Sequence, residues 1–336
     1  MAEFISTFTT GFSDVVAAAL PSLLRGAGVL SVYDGLVHYK FNGNPRDIEK
    51  IRFFNNTFFV IAVFHGKKRG FPAMVSEVAA GNHYYLISRG KFRIRFVSEN
   101  RFVHVPQDLV RRAESAVTRN SRLSVDRVNP GTEIWYDIRR EGFAFCGELI
   151  SKRAFTEKNL AKGELRPEFA YLMCLYAEVR EDDVAADPFA GSGAIPVQLA
   201  RNFRFRRLYA GDVDGAKIPA LEKRLVRGGC DYVEVLRWDA MSLAQIPDGA
   251  LSLVITDPPW GFYEEVGDMK RFCLDMFASF RRVLRPDGRM VILSARTEEI
   301  EAAAAESGVS VVSSVQTLVN GRKASVYRMR FEPLQQ

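Results

Sequence analysis

The stretch Thr256 to Gly261 reads TDPPWG and continues a run, Leu251 to Thr256, that is mostly apolar and branched. Two consecutive prolines cannot donate hydrogen bonds to a sheet, so the predicted strand ends at Asp257. A carboxylate, a rigid turn and an indole ring then follow a buried strand. Either Asp257 is a solvated turn residue and Trp260 folds back on the core, or both side chains hold something flat and polar.

The second interpretation corresponds to a known chemical problem. An exocyclic amine on a nucleobase is a poor nucleophile because its lone pair is delocalised into the ring. A carboxylate and a rigid backbone carbonyl can each accept one N–H, which directs the lone pair toward an incoming methyl group. Asp257 and the carbonyl of Pro258 suit this role, and Trp260 suits stacking on a flipped base. Positioning the methyl group and the nitrogen in line contributes much of the rate of such a transfer.

A glycine-containing loop precedes this motif in the chain. The sequence DPFAGSGAI, residues 187–195, follows a predicted strand and opens a predicted helix. Gly191 and Gly193 would let the backbone approach a ligand closely, although a purely structural turn would use the same residues. Asp187 adds a carboxylate beside them. A dinucleotide-binding loop would have a third glycine where this chain has Pro196, and no Gly-Lys-Ser/Thr follows, which excludes a triphosphate loop.

Two further acids end the next two predicted strands. Asp212, in YAGDVDG, comes about 20 residues after the glycines and suits both hydroxyls of a ribose better than Asp214 does. Asp239, in RWDAMSL, could accept the exocyclic amine of an adenine. A single acid at a strand end is often a helix cap. Three acids at the ends of successive strands favour a nucleoside site.

The elements that position these residues form a repeating pattern. Residues 168–336 begin with a helix and then alternate strands and helices. This pattern predicts a doubly wound α/β domain of the Rossmann-like type, whose ligand lies at the carboxyl ends of the strands. Residues 153–167 are polar and charged without periodicity, and we interpret them as a linker.

The first half of the chain predicts a different, α+β architecture. Residues 1–65 indicate a helix with Ser13 as N-cap, two strands around an Asp34-Gly35 turn, a short helix RDIEKIRFFN and an apolar strand. Residues 66–152 indicate a strand KFRIRF, an amphipathic helix PQDLVRRAESAVTRNS and two further strands.

Positive charge is concentrated in this first half. Residues 1–160 contain 23 Lys and Arg against 15 Asp and Glu, whereas residues 161–336 contain 23 against 25. This asymmetry is compatible with an ordinary surface, but it also fits a phosphate-rich partner held by the N-terminal half. The candidate phosphate contacts lie on the predicted strand and helix: Lys91, Arg93, Arg95, Arg111, Arg112 and Arg119.

Composition excludes several classes of protein. No run of 18 apolar residues predicts a membrane span. The N-terminus carries Glu3 and Asp14 and lacks a basic start, so it is a poor signal peptide. The four cysteines are scattered, without a Cys-x-x-Cys pair, which argues against a zinc site or a disulfide framework and fits a reducing cytoplasm.

In their order and spacing, DPFAGSGAI, GDVD, RWDA and TDPPWG resemble the class I S-adenosylmethionine-dependent amino-methyltransferases. The segments KFRIRF, PQDLVRRAESAV, TEIWYDIRREGFAFCGELI and LRPEFAYLM resemble a ferredoxin-like region and a THUMP domain that lead into the catalytic domain. Together they resemble the THUMP-domain-containing class I RNA (tRNA) guanine-N2 methyltransferases.

The resemblance implies S-adenosylmethionine as the methyl donor and tRNA as the substrate, with the THUMP unit holding its acceptor end. We expect a monomeric, cytoplasmic enzyme that needs no metal. The implied donor-binding residues are Asp187, Phe189, Gly191, Gly193, Asp212 and Asp239. Asp257, Pro258 and Trp260 are the implied catalytic residues.

Two alternatives remain open at the level of sequence. The family more often has Tyr or Phe at the position of Trp260, and a DPPW tetrad is familiar from RNA adenine-N6 methyltransferases. Those enzymes usually place DPPW before the glycine loop, whereas here Asp257 follows Asp187 by 70 residues. An RNA or DNA adenine-N6 methyltransferase is therefore the rival enzyme, and an RNA-binding protein without turnover is the non-enzymatic rival.

Overall fold

The structure, a computed structural model, describes residues 2–64, 70–87, 89–153, 160, 163–262 and 267–333. The chain forms two compact units. The N-terminal unit comprises residues 1–8 and 16–154, and the C-terminal unit comprises residues 9–15 and 155–336. The predicted linker, 153–167, lies largely outside the described residues.

The N-terminal unit is an α+β structure built on one mixed sheet. Its described strands are β1 (Ala2–Thr7), β2 (Gly28–Tyr33), β3 (Leu36–Phe41), β4 (Asn56–Phe64), β5 (Arg89–Ser98), β6 (Arg101–Phe102), β7 (Arg122–Val125), β8 (Thr132–Ile138) and β9 (Ala144–Lys152). The strand order is β2-β3-β1-β4-β9-β8-β5-β6, with β7 paired to β5. Its described helices are α1 (Ser13–Leu23), which begins in the segment 9–15, α2 (Pro45–Ile48), α3 (Phe71–Ala80) and α4 (Gln107–Asn120).

The two predicted N-terminal regions share this sheet. Strand β4, from the region 1–65, pairs antiparallel with β9, from the region 66–152. Both regions therefore contribute to one compact unit. Helices α3 and α4 pack on one face, where Met74, Phe92 and Val117 belong to a common buried cluster.

One predicted helix of this unit is much shorter than expected. The segment RDIEKIRFFN was predicted as a helix, but α2 ends at Ile48. Phe53 and Phe54 are buried beyond the helix and form an edge-to-face pair with centroids 4.9 Å apart. Burial of adjacent aromatic rings, which helical periodicity would separate, overrides the helical pattern here.

The C-terminal unit has the predicted doubly wound α/β fold. Its described strands are β10 (Val184–Asp187), β11 (Arg207–Asp212), β12 (Glu234–Arg237), β13 (Leu251–Thr256), β14 (Leu284–Ser294), β15 (Val309–Val319) and β16 (Arg322–Phe331). The described helices are α5 (Pro167–Tyr176), α6 (Ala194–Asn202), α7 (Ile218–Arg227), α8 (Met269–Val283) and α9 (Thr297–Glu306).

The strand order of this sheet creates a crevice. The order is β12-β11-β10-β13-β14-β16-β15, with parallel pairing from β12 to β14. The chain moves outward from β10 in one direction and from β13 in the other, so the direction of winding reverses between these two strands. A crevice opens at the carboxyl ends of strands at such a point.

The far edge of the sheet was only partly predicted. Strand β16 pairs antiparallel with both β14 and β15, and β15 was not predicted from the sequence. The β15–β16 hairpin turns through Asn320 and Gly321, whose φ angles of 50° and 78° suit a two-residue hairpin turn. Within the described residues, no helix is long and apolar enough to cross a membrane.

Candidate active site

A cleft of about 800 Å³ lies at the carboxyl ends of the central strands of the C-terminal unit. Eight predicted residues line it: Asp187, Phe189, Gly191, Asp212, Asp239, Asp257, Pro258 and Trp260. Asp187 ends β10 and Asp257 follows β13, the two strands that flank the winding reversal. Residues far apart in sequence therefore meet because parallel strands end at the same edge.

The glycine loop after β10 is held by the neighbouring strand. The N–H of Ala190 donates to the carbonyl oxygen of Gly211 at 2.8 Å. The N–H of Gly191 donates to Oδ2 of Asp212 at 3.1 Å, and Oδ1 of Asp212 accepts the N–H of Asp214 at 3.0 Å. Asp212 thus orders the loop, while its carboxylate, which can accept about four hydrogen bonds, retains acceptor capacity toward the cleft.

Gly193 lies at the start of α6, between two residues that line the cleft, Ser192 and Ala194. It is absent from the described lining of the cleft and stands at the N-cap of α6 with φ of 88°. A Cβ atom at this position would lie 2.6 Å from Cδ1 of Leu221 on α7. This glycine permits a turn and the packing of α6 against α7, so its place in the sequence has a structural reason besides the predicted approach to a ligand.

Asp187 is buried at the base of the cleft and is 2% exposed. Its Oδ1 accepts the hydroxyl of Thr256 at 2.7 Å and the N–H of Phe189 at 3.2 Å. Burial raises the pKa of Asp187 to about 7, although these two hydrogen bonds lower it. The nearby Asp212 carboxylate also raises it. Thr256 and Asp187 thereby connect the ends of β10 and β13.

The TDPPWG motif has two buried polar atoms that make no hydrogen bond of standard geometry with a described residue, although the Trp260 side chain approaches the Asp257 carboxyl group closely enough to lower its pKa. They are Oδ1 of Asp257, an acceptor, and Nε1 of Trp260, a donor. The turn is fixed from outside the motif, since Nε of Arg296 donates to the carbonyl oxygen of Trp260 at 2.8 Å. Buried polar atoms without partners are rare in folded proteins and are common where a ligand supplies the missing partner.

The protonation of Asp257 is also unusual. Burial raises the pKa of Asp257 well above the usual range for a carboxyl group, and repulsion from Asp187 acts in the same direction, whereas the nearby Trp260 side chain lowers it. Oδ1 can accept a hydrogen bond in either protonation state when the proton resides on the other oxygen. A buried Oδ1 and a Trp260 ring at the cleft disagree with a solvated turn whose indole folds back on the core.

Asp239 both lines the cleft and caps a backbone N–H, two roles that the sequence presented as alternatives. It is exposed at the end of β12 and lines the cleft. Its Oδ1 also accepts the N–H of Met241 at 2.9 Å, as a capping carboxylate does.

Three supporting residues were missed in the sequence. Thr256 was treated only as the end of a strand. Trp238 is buried and donates from Nε1 to the carbonyl oxygen of Pro188 at 3.1 Å, which holds the start of the glycine loop in place. Arg224 of α7 donates to the hydroxyl of Ser192 at 2.9 Å and also contacts Glu164, another residue lining the cleft. No local motif marks these residues, because each acts across elements.

The predicted phosphate-binding residues of β5 are largely paired with acids. Lys91 lies 2.8 Å from Asp126. Arg93 forms an ion pair with Glu133, and Nε of Arg95 lies 3.7 Å from the same carboxylate. The positive face expected from the KFRIRF sequence is therefore substantially neutralised by neighbouring strands and loops.

The predicted residues of α4 are in a different environment. Arg111, Arg112 and Arg119 are exposed, and none forms an ion pair with the described acids. Arg112 donates to the hydroxyl of Ser76 at 2.8 Å, and Arg119 donates to the carbonyl oxygen of Ala79 at 3.2 Å. Their charges remain available to an external anion.

The cleft fits S-adenosylmethionine. Its carboxyl groups suit the positive charge of the donor, Asp212 retains acceptors for hydroxyls, and Gly191 leaves space beside the backbone. Asp257 and Trp260, whose Oδ1 and Nε1 make no hydrogen bond of standard geometry, line the same cleft. No cluster of His, Cys, Asp or Glu suited to a metal ion occurs among the residues that the structure describes.

Comparison with known proteins gives consistent results. A family model described as UPF0020, the RMKL-like methyltransferase domain, matches residues 153–324, just over half of the chain. A tRNA (guanine(6)-N2)-methyltransferase of Thermus thermophilus is 27% identical over 216 residues, which are 62% of this chain and 63% of that relative. The match thus spans less than two thirds of that protein. A tRNA (guanine(6)-N2)-methyltransferase of Archaeoglobus fulgidus is 23% identical over 91% of this chain and 86% of its own length.

A solved structure resembles the whole chain. The crystal structure of TrmN from Thermus thermophilus matches with a TM-score of 0.80 at 22% identity, covering 99% of this chain and 100% of that one. At this identity the similarity concerns the fold.

Proposed function

Since the chain belongs to the RMKL-like methyltransferase domain family, we propose that this S-adenosylmethionine-dependent enzyme methylates the exocyclic N2 amine of a guanosine in tRNA. The observation that carries the proposal is the position of Oδ1 of Asp257. It is a buried acceptor that makes no hydrogen bond of standard geometry with a described residue, in the same cleft as the loop that suits the donor. An amine N–H directed at this atom would satisfy it.

The positions of the residues support the following roles. When bound, S-adenosylmethionine supplies an electrophilic methyl group on a sulfonium sulfur. Asp212 accepts hydrogen bonds from the ribose hydroxyls of the donor, and Asp239 accepts its adenine amine. Asp187, Phe189 and Gly191 form the wall beside the donor.

The acceptor amine is held at the TDPPWG corner. Oδ1 of Asp257 accepts one N–H and the carbonyl of Pro258 accepts the other, so the nitrogen lone pair points toward the methyl group. Trp260 stacks on the base and excludes water from the reacting atoms. Burial and repulsion from Asp187 raise the pKa of Asp257, which disfavours a second buried negative charge beside Asp187.

RNA binding is assigned to the N-terminal unit, as a THUMP-type module. The exposed arginines of α4 would contact phosphates and hold the acceptor stem in register without reading its sequence. The named relatives act on guanosine 6 of tRNA, which supports a target in that part of the molecule. A tRNA substrate also suits an enzyme of the cytoplasm, and we propose that it acts as a monomer.

Adenine-N6 methylation is the rival that Trp260 keeps open. The order of the glycine loop and the TDPPWG motif argues against it, as do the guanine-N2 activities named for the relatives.

The purified protein should be incubated with methyl-labelled S-adenosylmethionine and either a tRNA transcript or duplex DNA, followed by nucleoside mass spectrometry. We expect N2-methylguanosine in tRNA and no labelled DNA. Labelled N6-methyladenosine would overturn the assignment of the base, and labelled DNA would overturn the assignment of the substrate.

A further inference from the structure

An exposed arginine at the end of the β15–β16 hairpin lines the cleft. Arg322 follows the Asn320-Gly321 turn and is exposed to solvent, so it lies at the rim of the cleft and not at its base. Its register partner across the hairpin is Val319, another residue of the lining. The side chain of Arg322 forms no hydrogen bond or ion pair with any residue that the structure describes.

The charge of the cleft makes this arginine informative. The described residues of the lining include six acids: Glu164, Asp187, Asp212, Asp239, Asp257 and Asp268. The described lining contains two basic side chains, Lys217 and Arg322, and Nζ of Lys217 lies 3.6 Å from Oδ2 of Asp212. Even without Asp187 and Asp257, whose pKa values burial raises, acids outnumber basic side chains four to two in the described lining, so the cleft suits a cationic methyl donor better than the phosphates of a nucleic acid.

A flipped nucleotide stays covalently attached to the phosphates on either side of it. Its base enters the cleft while the attached phosphodiesters remain at the rim, a few bonds away. A cation is therefore needed at the rim on the side of the base-binding motif, and Arg322 is there. Its guanidinium lies 4.1 Å from the ring centroid of Phe262, two residues beyond Trp260.

The ring of Phe262 holds Arg322 without neutralising it. A cation–π contact orients the guanidinium plane and leaves its N–H donors available. Arg296 approaches the same ring at 4.6 Å, but its Nε is already bonded to the carbonyl oxygen of Trp260. Arg296 thus fixes the motif. The guanidinium of Arg322 has no hydrogen-bond or ion-pair partner among the described residues and can bind an external anion.

We propose that Arg322 binds the phosphodiester next to the target guanosine and thereby positions the flipped nucleotide at the TDPPWG corner. This inference rests on the proposed function. It assigns to the C-terminal unit a phosphate contact of its own, in addition to those proposed for α4.

The test compares Arg322→Gln with Lys323→Gln. Lys323 is the next residue on β16, is exposed, and lies outside the described lining, so both variants remove one surface charge from the same strand. The dissociation constant for tRNA, with S-adenosylhomocysteine present, should rise about tenfold in R322Q and little in K323Q. R322K should show a smaller rise because it keeps the charge but not the planar fork. Affinity for S-adenosylhomocysteine alone should be unchanged in R322Q.

A synthetic substrate then locates the contact. A neutral methylphosphonate next to the target guanosine should weaken binding by wild type to the level of R322Q and should not weaken R322Q further. Equal tRNA affinities for R322Q and K323Q would overturn the inference, as would a decrease of S-adenosylhomocysteine affinity in R322Q. Wild-type protein that fails to methylate guanosine in tRNA would instead contradict the proposed function, so the two failures are distinguishable.

Discussion

Asp257 is the residue on which the proposed chemistry depends most. Asp257→Ala removes the acceptor for the amine but touches neither the donor nor the RNA elsewhere. We expect turnover to fall by more than tenfold, with nearly unchanged affinities for S-adenosylhomocysteine and tRNA, measured by calorimetry and single-turnover kinetics. Asp257→Asn is the matched control: it keeps an acceptor oxygen and resembles the neutral acid that burial favours, so it should retain more activity.

The opposite result has a defined meaning. If D257A kept more than about a tenth of wild-type turnover, the carboxyl group would contribute less than about 1.4 kcal/mol to the transition state. Asp257 would then be a turn residue with an incidental buried oxygen.

Asp187 predicts a dependence of stability on pH. Its pKa is raised from 3.8 to about 7, so between these values the native state binds a proton that the unfolded state releases. Asp187 therefore stabilises the fold least at and above neutral pH. In the absence of ligand, the free energy of unfolding of Asp187→Asn, relative to wild type, should rise as pH increases from about 4 to 7. Denaturant unfolding at several pH values measures it, and a pH-independent difference would refute the environment assigned to Asp187.

At the scale of elements, the glycine loop is positioned by α7 as well as by the strands. Gly193→Ala combines φ of 88° with a Cβ only 2.6 Å from Leu221, whereas Gly229→Ala has φ of 70° and an open surrounding. Both variants should be destabilised by about 1–2 kcal/mol because of the left-handed backbone. G193A should be destabilised by about 1–3 kcal/mol more from overpacking and should bind S-adenosylhomocysteine more weakly. Equal stabilities of the two variants would contradict the packing role.

The same loop shows how far the sequence could predict the site. The glycines and acids follow predicted strands, and parallel strands bring their ends together, so eight lining residues could be named in advance. The contact between Gly193 and Leu221 could not, because a φ value and an inter-helix distance have no local signature. The support from Trp238 and Arg224 was missed for the same reason.

Fold prediction succeeded where strands and helices alternate over a long stretch of the chain. It failed at the edge strand β15 and at the short helix α2. The alternation after residue 168 specified the doubly wound sheet. Strand β15, with the sequence VSVVSSVQTLV, carries Val311, Val312 and Leu318 exposed at the sheet edge, so its pattern is weak. The short α2 segment was overestimated because tertiary burial of Phe53 and Phe54 outweighs local helical pattern.

At the scale of the whole molecule, net charge was a poor guide to which cations are available. Lys91, Arg93 and Arg95 alternate on β5 as predicted, but acids from other elements meet them. Composition records the acids without revealing their positions. The exposed arginines of α4 are therefore the stronger candidates for phosphate contacts.

This distinction can be tested in the full chain. The triple change Arg111→Glu, Arg112→Glu and Arg119→Glu should weaken tRNA binding strongly, with less effect on turnover at saturating RNA. The dependence of log affinity on log salt should become shallower by about 0.7–0.9 for each RNA phosphate that these arginines no longer neutralise. The control, Lys91→Glu with Arg93→Glu, should have a smaller effect on affinity. A larger effect in the control would return the RNA-binding role to β5.

The most direct test of guanine-N2 methylation is nucleoside mass spectrometry of purified tRNA from cells in which the gene has been deleted, and from the same cells complemented with wild type or D257A. We predict that N2-methylguanosine decreases in the deletion strain, returns with wild type and does not return with D257A. Unchanged N2-methylguanosine together with disappearance of N6-methyladenosine, or full rescue by D257A, would contradict the account.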